Sequence, residues 1–516
     1  MNNTLKNDKQ LKFGIILSYV QLILVVLIGI IYTPFELAKL GTSEYGVYQT
    51  CKSTIEMLSF LTLGMNSGYI KFYTKYKKDN DEESVYKLNG LYLTIFIILG
   101  TIALILGLLL TNNLGFIFEN GLTLDEIVLA KSLMRIISIN LFVTFINLIF
   151  ASIISAHEKF IFLRLFTAIQ TIASPLINVF LLSYGYRSKV LACTILVINI
   201  LLLVAYIIYT LKVLKQKFIF KNYEKGIIKG IFAFSSLLFI NVIVDSINFQ
   251  SGKIIVASTA GSTEAAIYSV GALLLNYFMT MSFGISQVFT PRVHKMVALS
   301  DDNKNKRQEM TLFFTSVGRI QYMILFMVLS GFVFFGLPFL KIWLSRSISD
   351  PEMIKEAYFV TLILLFGCIV DLIQNVGIEF QRSQNKYIYS TVVYAVMAII
   401  NVVLSIYLAK IYGALGAAIG SAITMIISKG FIMNIIYHKI INIDVTYFWM
   451  NILKITLSVM PSLIYGVCVM TLVSMNSIIS FVSFGFGYIA IYLISLWFVG
   501  MNREEKVIIL HLLNRN

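Results

Sequence analysis

GTSEYGVYQT occupies positions 41–50, and GSTEAAIYSV occupies positions 261–270. Glycine, a hydroxylic pair, a glutamate and a later tyrosine return in one register, 220 positions on. The match runs further. LTLGMNSGY at 61–69 faces MSFGISQVF at 281–289, with Gly64 opposite Gly284. Charged stretches follow both, KYKKDNDEE and LSDDNKNKR. HEKF at 157–160 then faces QNKY at 384–387 with the offset grown to 227, and Tyr184-Gly185 faces Tyr412-Gly413. Several landmarks in one order read as two tandem copies of one unit.

Between these landmarks the chain is oily. Of its 516 residues 58% are hydrophobic and 13% charged, against about 25% charged in soluble domains. Runs such as Phe13–Tyr32, Leu91–Leu110 and Val190–Tyr209 reach the ~20 residues that cross a bilayer as helix. The sequence therefore predicts an all-α polytopic membrane protein. Fourteen spans are expected, at 12–33, 46–70, 88–111, 127–155, 161–184, 190–211, 230–252, 266–290, 311–340, 356–381, 387–409, 415–437, 447–473 and 477–500. The first is too long for the ~7–15-residue core of a cleavable signal and lacks a small-residue cleavage site, so it is expected to stay as a helix.

Charge placement fixes the expected orientation. The net charge of +15 could suggest nucleic acid, but the basic residues gather in alternate short loops, as membrane insertion selects. Lysines and arginines crowd the amino-terminal tail, 71–87, 159–164, 212–229, 292–307, 382–386, Lys439 and the carboxy-terminal tail. The opposite loops hold few, and 112–126 carries only Glu119, Asp125 and Glu126. Both termini are expected in the cytoplasm. Cys51, Cys193, Cys368 and Cys468 fall one per distant apolar segment, which suggests small core residues rather than a disulfide frame or a zinc site.

Six spans per copy is an even number, so both copies start on the same side. That predicts parallel repeats about an axis along the membrane normal, with a substrate path between them. The expected organisation is an N-terminal lobe at 1–228, a C-terminal lobe at 229–440, and a final pair of spans with its tail at 441–516.

LGTSEYGVYQ after the first span, LTLGMNSG in the second, IISAHEKF before the fifth and YGALGAAIGSAIT at 412–424 together carry a family likeness. Over about 12–438 the chain resembles the oligosaccharide flippases of the multidrug/oligosaccharidyl-lipid/polysaccharide exporter superfamily, the O-antigen and capsule translocases. The resemblance implies a two-lobed bundle in a bacterial cytoplasmic membrane. It would move an undecaprenyl-diphosphate-linked oligosaccharide to the outer leaflet by alternating access, with a polysaccharide polymerase and a chain-length regulator as possible partners. Such proteins often pair an acid with the basic residue ending the seventh span. Here that place reads Ser251-Gly252-Lys253, with the base and without the acid.

Charges inside apolar spans cost ~2.5–3.5 kcal/mol each on insertion scales and normally face a cavity or a partner. Gln49, Lys52, Glu56, Ser59 and Asn66 fall on one face of the second span; Asn241, Asp245 and Asn248 align in the seventh; Asp371, Gln374, Asn375, Glu379 and Arg382 flank the tenth. In the functional reading Lys52, Arg135 and Arg319 are cavity cations for a diphosphate or acidic sugar, arginine being the better bidentate ligand. Glu56, Asn241, Asp245, Asn248, Asp371 and Glu379 are then ion-coupling or cavity polar groups, with H+ or Na+ as the coupling ion and no other cofactor. In the structural reading the same residues pair between helices. The run GALGAAIGSA at 413–422 suits close helix packing.

Two rival functions are separable by sequence. A membrane polymerase or glycosyltransferase needs a substantial loop outside the bilayer, and 112–126 and 341–355 are short. No glycine-rich nucleotide loop or metal-ligand cluster occurs, so an enzyme is not expected. A cation-coupled multidrug exporter or a peptidoglycan-lipid translocase would keep the fold and change the cargo. The last pair of spans, outside the duplication, would suit a groove for a long lipid tail.

Overall fold

The computed structural model describes residues 23–62, 65–221, 225–299, 303–473, 475, 477–503 and 505–507. The described residues form helices joined by short turns. The helices are α1 (Ile23–Leu40), α2 (Thr42–Met57), α3 (Met65–Lys78), α4 (Glu82–Asn112), α5 (Leu124–Ala156), α6 (Phe160–Ser183) and α7 (Ser188–Ile208). They continue as α8 (Lys225–Thr259), α9 (Ser262–Leu299), α10 (Asn303–Leu344), α11 (Pro351–Ile373), α12 (Val376–Ser383) and α13 (Ile388–Met425). The last are α14 (Met433–Lys439), α15 (Val445–Ser458), α16 (Met460–Leu472) and α17 (Ile478–Ser495).

Local chemistry sets the ends. Asp81 caps α4 by accepting from the Ser84 N–H, and Thr123 with Glu126 forms a reciprocal capping box on α5. Pro461 has no N–H to donate, so the helix breaks there, and α15 and α16 meet at a 50° bend. Pro175, also expected to bend its span, sits inside α6.

Among the described residues ten helices are long and apolar enough to cross a membrane, or eleven if the bent pair α15–α16 is one span. The difference from fourteen has physical causes. The expected second span is divided among α2, a 3-10 turn at Leu58–Thr62 and α3. The expected seventh lies in α8, which is long but is not among the ten. The expected eleventh and twelfth are fused into one helical run, Ile388–Lys439, of 52 residues. That run is interrupted at Tyr412 and Gly413, whose backbones are not helical.

Contacts divide the chain into two units, Met1–Ser269 with Ala409–Gly413, and Val270–Leu408 with Ala414–Asn516. The division thus falls one helix later than the boundary at 228, with α8 in the first unit. In the first unit α2 packs on α5 and α8, and α4 packs along α5 and over α3. Its centre buries Tyr45, Tyr69, Tyr92, Phe96 and Phe145. Tyr69 meets Tyr92 edge-on at 5.2 Å and donates to Asn89 at 2.7 Å, so the buried hydroxyl keeps a partner. In the second unit α10 is the hub, packing on α11, α15, α16 and α17. Phe314, Phe380, Phe448, Tyr488 and Tyr492 fill it.

Left-handed backbone marks the turns. It occurs at Gly41 (φ 80°), Glu158 (φ 59°), Gly185 (φ 89°) and Lys215 (φ 53°), and again at Gly261 (φ 101°), Asn385 (φ 56°), Gly413 (φ 57°) and Asn442 (φ 65°). Three of these pairs fall at the landmarks quoted from the sequence; the Lys215–Asn442 pair has no counterpart in the residue types. Gly64, opposite Gly284 in the sequence match, lies outside the described residues. Each of the two glutamates of the doubled phrase lies beside a turn that holds a left-handed glycine. Glu44 accepts from the Ser188 N–H at 2.8 Å and from Arg187 Nε at 2.8 Å, tying down the turn after Gly185. Glu264 lies against Gly413, where an added Cβ would sit 2.5 Å from its Oε2.

The small-residue run packs as expected. Ala417 and Ala418 are fully buried, and a Cβ on Gly420 would meet the Ser405 backbone at 3.0 Å. Asn401 accepts from the Ser405 and Ser421 hydroxyls, binding the two arms of the interrupted helix together. Cys51 and Cys368 are buried, whereas Cys193 and Cys468 are exposed rather than in a core.

Candidate functional site

The polar face of α2 opens on a cavity of about 330 Å³ within the first unit. Tyr48, Lys52, Glu56 and Ser59 recur at four-, four- and three-residue spacing, so a helix sets them on one side, and all four line it. Lys52 Nζ lies 3.8 Å from Glu56 Oε1, both side chains about two-fifths exposed, at 41% and 44%. Asn140 and Thr144 enter from α5 and Gln250 from α8. Behind them Asn140 accepts from Asn199 at 2.7 Å, which accepts in turn from Gln170 at 2.8 Å. This relay fixes the amide that faces the cavity.

Two further charges belong to the cluster. Glu36, on α1, is buried and interacts electrostatically with Lys52. Lys253, on α8, interacts with Lys52 and Glu56. Glu56 of α2 is the acid whose charge acts on Lys253. Two lysines and two glutamates thus interact here, so a proton gained or an anion bound changes the net charge of a confined space. Glu36 was missed because the first span was ended at 33; the helix runs to Leu40. Carrying the apolar run three residues further would have flagged an acid inside a span.

The remaining expected residues lie elsewhere. Arg135 is on α5 and exposed; it does not line this cavity, and it has no ion pair or hydrogen bond among the described residues. Asp245 is exposed and Asn248 half-buried on α8, and the Asn241 side chain lies outside the described residues. Asp371 is ion-paired with Lys429, whose ammonium also stands 4.8 Å from the Tyr394 ring centre. Lys429 sits in a π-helical turn at Ile426–Ile432, a widening that places it against α11. Glu379 is held by Arg382 at 2.8 Å, with His294 at 3.5 Å.

Arg319 departs most from the expectation of a cavity cation. It is 3% exposed. Its Nε donates to Glu505 Oε1 at 2.7 Å and its Nη2 to Oε2 at 3.0 Å. It also donates to the Gly500 and Asn451 carbonyls at 2.8 and 3.3 Å. Four of its five N–H donors are used within the second unit, where it locks the chain after α17 onto α10 and α15. Neither Lys429 nor Glu505 was legible as a partner, because periodicity assigns a face and not what meets it.

Outside the spans, Glu44 has a perturbed carboxyl. Partial burial pushes it up, but hydrogen bonds from Ser188 and Arg187 and the Arg187 charge outweigh that and leave it below the ordinary glutamate value. In the second unit α10 and α17 form an apolar groove of about 430 Å³. Phe332, Phe335, Phe339 and Phe486 wall it, and Gly331 and Gly485 leave the room.

This geometry, long apolar helices with a charged cavity among them, is that of a multi-pass membrane protein. A family model described as polysaccharide biosynthesis protein matches residues 11–297. The chain belongs to that family. No curated protein matches it. Among solved structures, the lipid II flippase MurJ in an inward closed conformation is similar with a TM-score of 0.68 at 16% identity, covering 94% of this chain and 97% of that one. An inward-facing multidrug resistance MATE family transporter of the MOP superfamily gives 0.57 at 14%, covering 80% and 97%. The Vibrio cholerae MATE transporter VcmN gives 0.58 at 10%, covering 86% and 100%. At these identities the likeness is one of fold.

Proposed function

We propose that the protein is a flippase that carries an undecaprenyl-diphosphate-linked oligosaccharide from the cytoplasmic to the outer leaflet, by alternating access, for surface polysaccharide synthesis. The observation that carries this reading is the cluster of Glu36, Lys52, Glu56 and Lys253 in a chain of the polysaccharide biosynthesis family. Lys52 and Lys253 would attract the diphosphate. Binding it adds negative charge beside two carboxylates, which favours their protonation. Proton uptake and cargo binding then support one another, which is the basis for coupling to H+. Asp245 and Arg135, both exposed, remain candidates for contact with the sugar. The apolar groove between α10 and α17 would seat the lipid tail. The proposed membrane is the bacterial cytoplasmic one, with both termini inside, a sidedness supported by the crowding of lysines and arginines in alternate loops.

Complementation of a flippase-null strain tests this. Lys52→Ala and Glu36→Gln should abolish glycan display at normal protein levels. Full display by both variants would refute the assignment of the cluster.

A second reading, translocation of the peptidoglycan lipid precursor, is favoured by one observation. The lipid II flippase structure covers 94% of this chain, whereas the MATE structures cover 80% and 86%. Rescue of a strain depleted of its lipid II flippase would support this reading, and rescue of glycan display alone would support the first.

A further inference from the structure

Three amides stand in a row behind the α2 cavity, and their polarity carries a separate inference. Asn140, Gln170 and Asn199 come from α5, α6 and α7 in turn, each within an apolar span. A buried amide costs free energy unless it is bonded, so side chains of this kind meet across helices. Gln170 Nε2 donates to Asn199 Oδ1 at 2.8 Å, and Asn199 Nδ2 donates to Asn140 Oδ1 at 2.7 Å. An amide carries its acceptor on one arm and its donors on the other. Fixing one therefore fixes the next, and the row runs in a single direction, toward the cavity. It ends on Asn140 Nδ2, for which no described residue is the acceptor. Thr144, one turn further along the same wall, spends its hydroxyl hydrogen on the Asn140 backbone carbonyl at 2.9 Å. Ile137 and Leu141, also on that wall, are apolar. Asn147, seven residues along α5, differs: it donates to the Asn199 backbone carbonyl at 3.1 Å, is 7% exposed and does not line the cavity.

We propose that Asn140 donates a hydrogen bond to an acceptor oxygen of the cargo headgroup, and that Asn199 and Gln170 position it by holding its own oxygen away from the cavity. This role rests on the reading of the cavity as the cargo site. At about 330 Å³, or roughly ten waters at about 30 Å³ each, the space holds a diphosphate or one sugar ring. A group seated there meets Lys52 and Asn140 together. Two oxygens of the proposed cargo class suit a fixed donor, one on the diphosphate and the carbonyl of an acylamino sugar. A sugar hydroxyl turns to donate or accept and gains less from a fixed polarity.

The test titrates detergent-purified full-length protein, in native mass spectrometry, with undecaprenyl diphosphate and with the same lipid carrying N-acetylglucosamine or galactose. Asn140→Leu removes the donor; where it folds poorly, Asn140→Asp, which still accepts from Asn199, takes its place. Loss of a hydrogen bond to a charged oxygen should weaken binding about tenfold or more. Asn147→Leu is the control for a lost interhelical amide. Asn199→Asp tests the polarity. A carboxylate there accepts from Gln170 but cannot donate to Asn140, whose amide must then turn its N–H to the carboxylate and its oxygen to the cavity. Asn140→Leu and Asn199→Asp should both bind more weakly, while Asn147→Leu keeps native affinity whatever its melting temperature. Weakening with all three lipids assigns the acceptor to the diphosphate, and weakening confined to the N-acetylglucosamine lipid assigns it to the acyl carbonyl. Native affinity in Asn140→Leu or Asn199→Asp, or equal weakening in Asn147→Leu, overturns the donor role and leaves the cargo reading in place. A native protein that binds none of the three lipids overturns both.

Discussion

Glu505→Ala strands the most buried arginine or lysine among the described residues. Arg319 is 3% exposed and Glu505 10%, so neither charge is restored to water when the other is removed. Breaking a buried pair from one side costs about 3–5 kcal/mol. The Gly500 and Asn451 carbonyls still accept from the guanidinium, which places the loss toward the lower figure, about 3 kcal/mol. Replacing both partners by methionine removes the stranded charge and should recover most of it. The assay is a double-mutant cycle on purified protein, unfolding followed by tryptophan fluorescence. Trp449 and Trp497 flank the Asn451 and Gly500 contacts, so the signal reports on this place. Coupling of about 2 kcal/mol or more between the two positions is expected. A Glu505→Ala protein as stable as the native one, or a double variant losing the sum of the singles, would show that the pair contributes nothing.

Three further outcomes follow from the geometry. Gly46→Ala would put a Cβ 1.8 Å from the Ser262 carbonyl oxygen, a backbone atom that cannot step aside. A loss of about 3 kcal/mol is expected, read as a lower melting temperature, while Gly115→Ala, with nothing within 4 Å, should be neutral. The Glu44 carboxyl is held below its ordinary value, so its contribution is complete above the unfolded value of about 4.3 and fades as pH falls through the folded one. The stability difference between native protein and Glu44→Gln should therefore be flat near neutrality and shrink in acid. Lys429→Met should destabilise by leaving Asp371 unpaired, and Lys429→Met/Asp371→Leu should restore stability with normal glycan display. Loss of display from a stable double variant would return Asp371 to the transport machinery.

Much of this molecule is local and was readable. Apolar runs gave most of the helices, and of the stripe Gln49, Lys52, Glu56, Ser59 and Asn66, three residues, Lys52, Glu56 and Ser59, face the cavity. What was not readable is long-range. Arg319 and Glu505 are 186 residues apart, and Asp371 and Lys429 are 58 apart. The Glu126 carboxylate, which accepts from the Ser43 and Ser262 hydroxyls at 2.5 Å each, read only as a loop charge. A helical period states which side a charge takes. Whether a cavity or a counter-ion waits there depends on the neighbour.

The interruption at Tyr412 and Gly413 reaches further than its size. The helical run holding it has 52 residues, about 78 Å at 1.5 Å per residue, more than twice the ~30 Å hydrocarbon core. Such a length has to double back, and one glycine supplies the reversal. Were it straightened, the number of crossings would drop by one, and every positive charge downstream would be delivered to the wrong face of the bilayer. The sidedness of the carboxy-terminal fifth of the chain therefore hangs on a break two residues long.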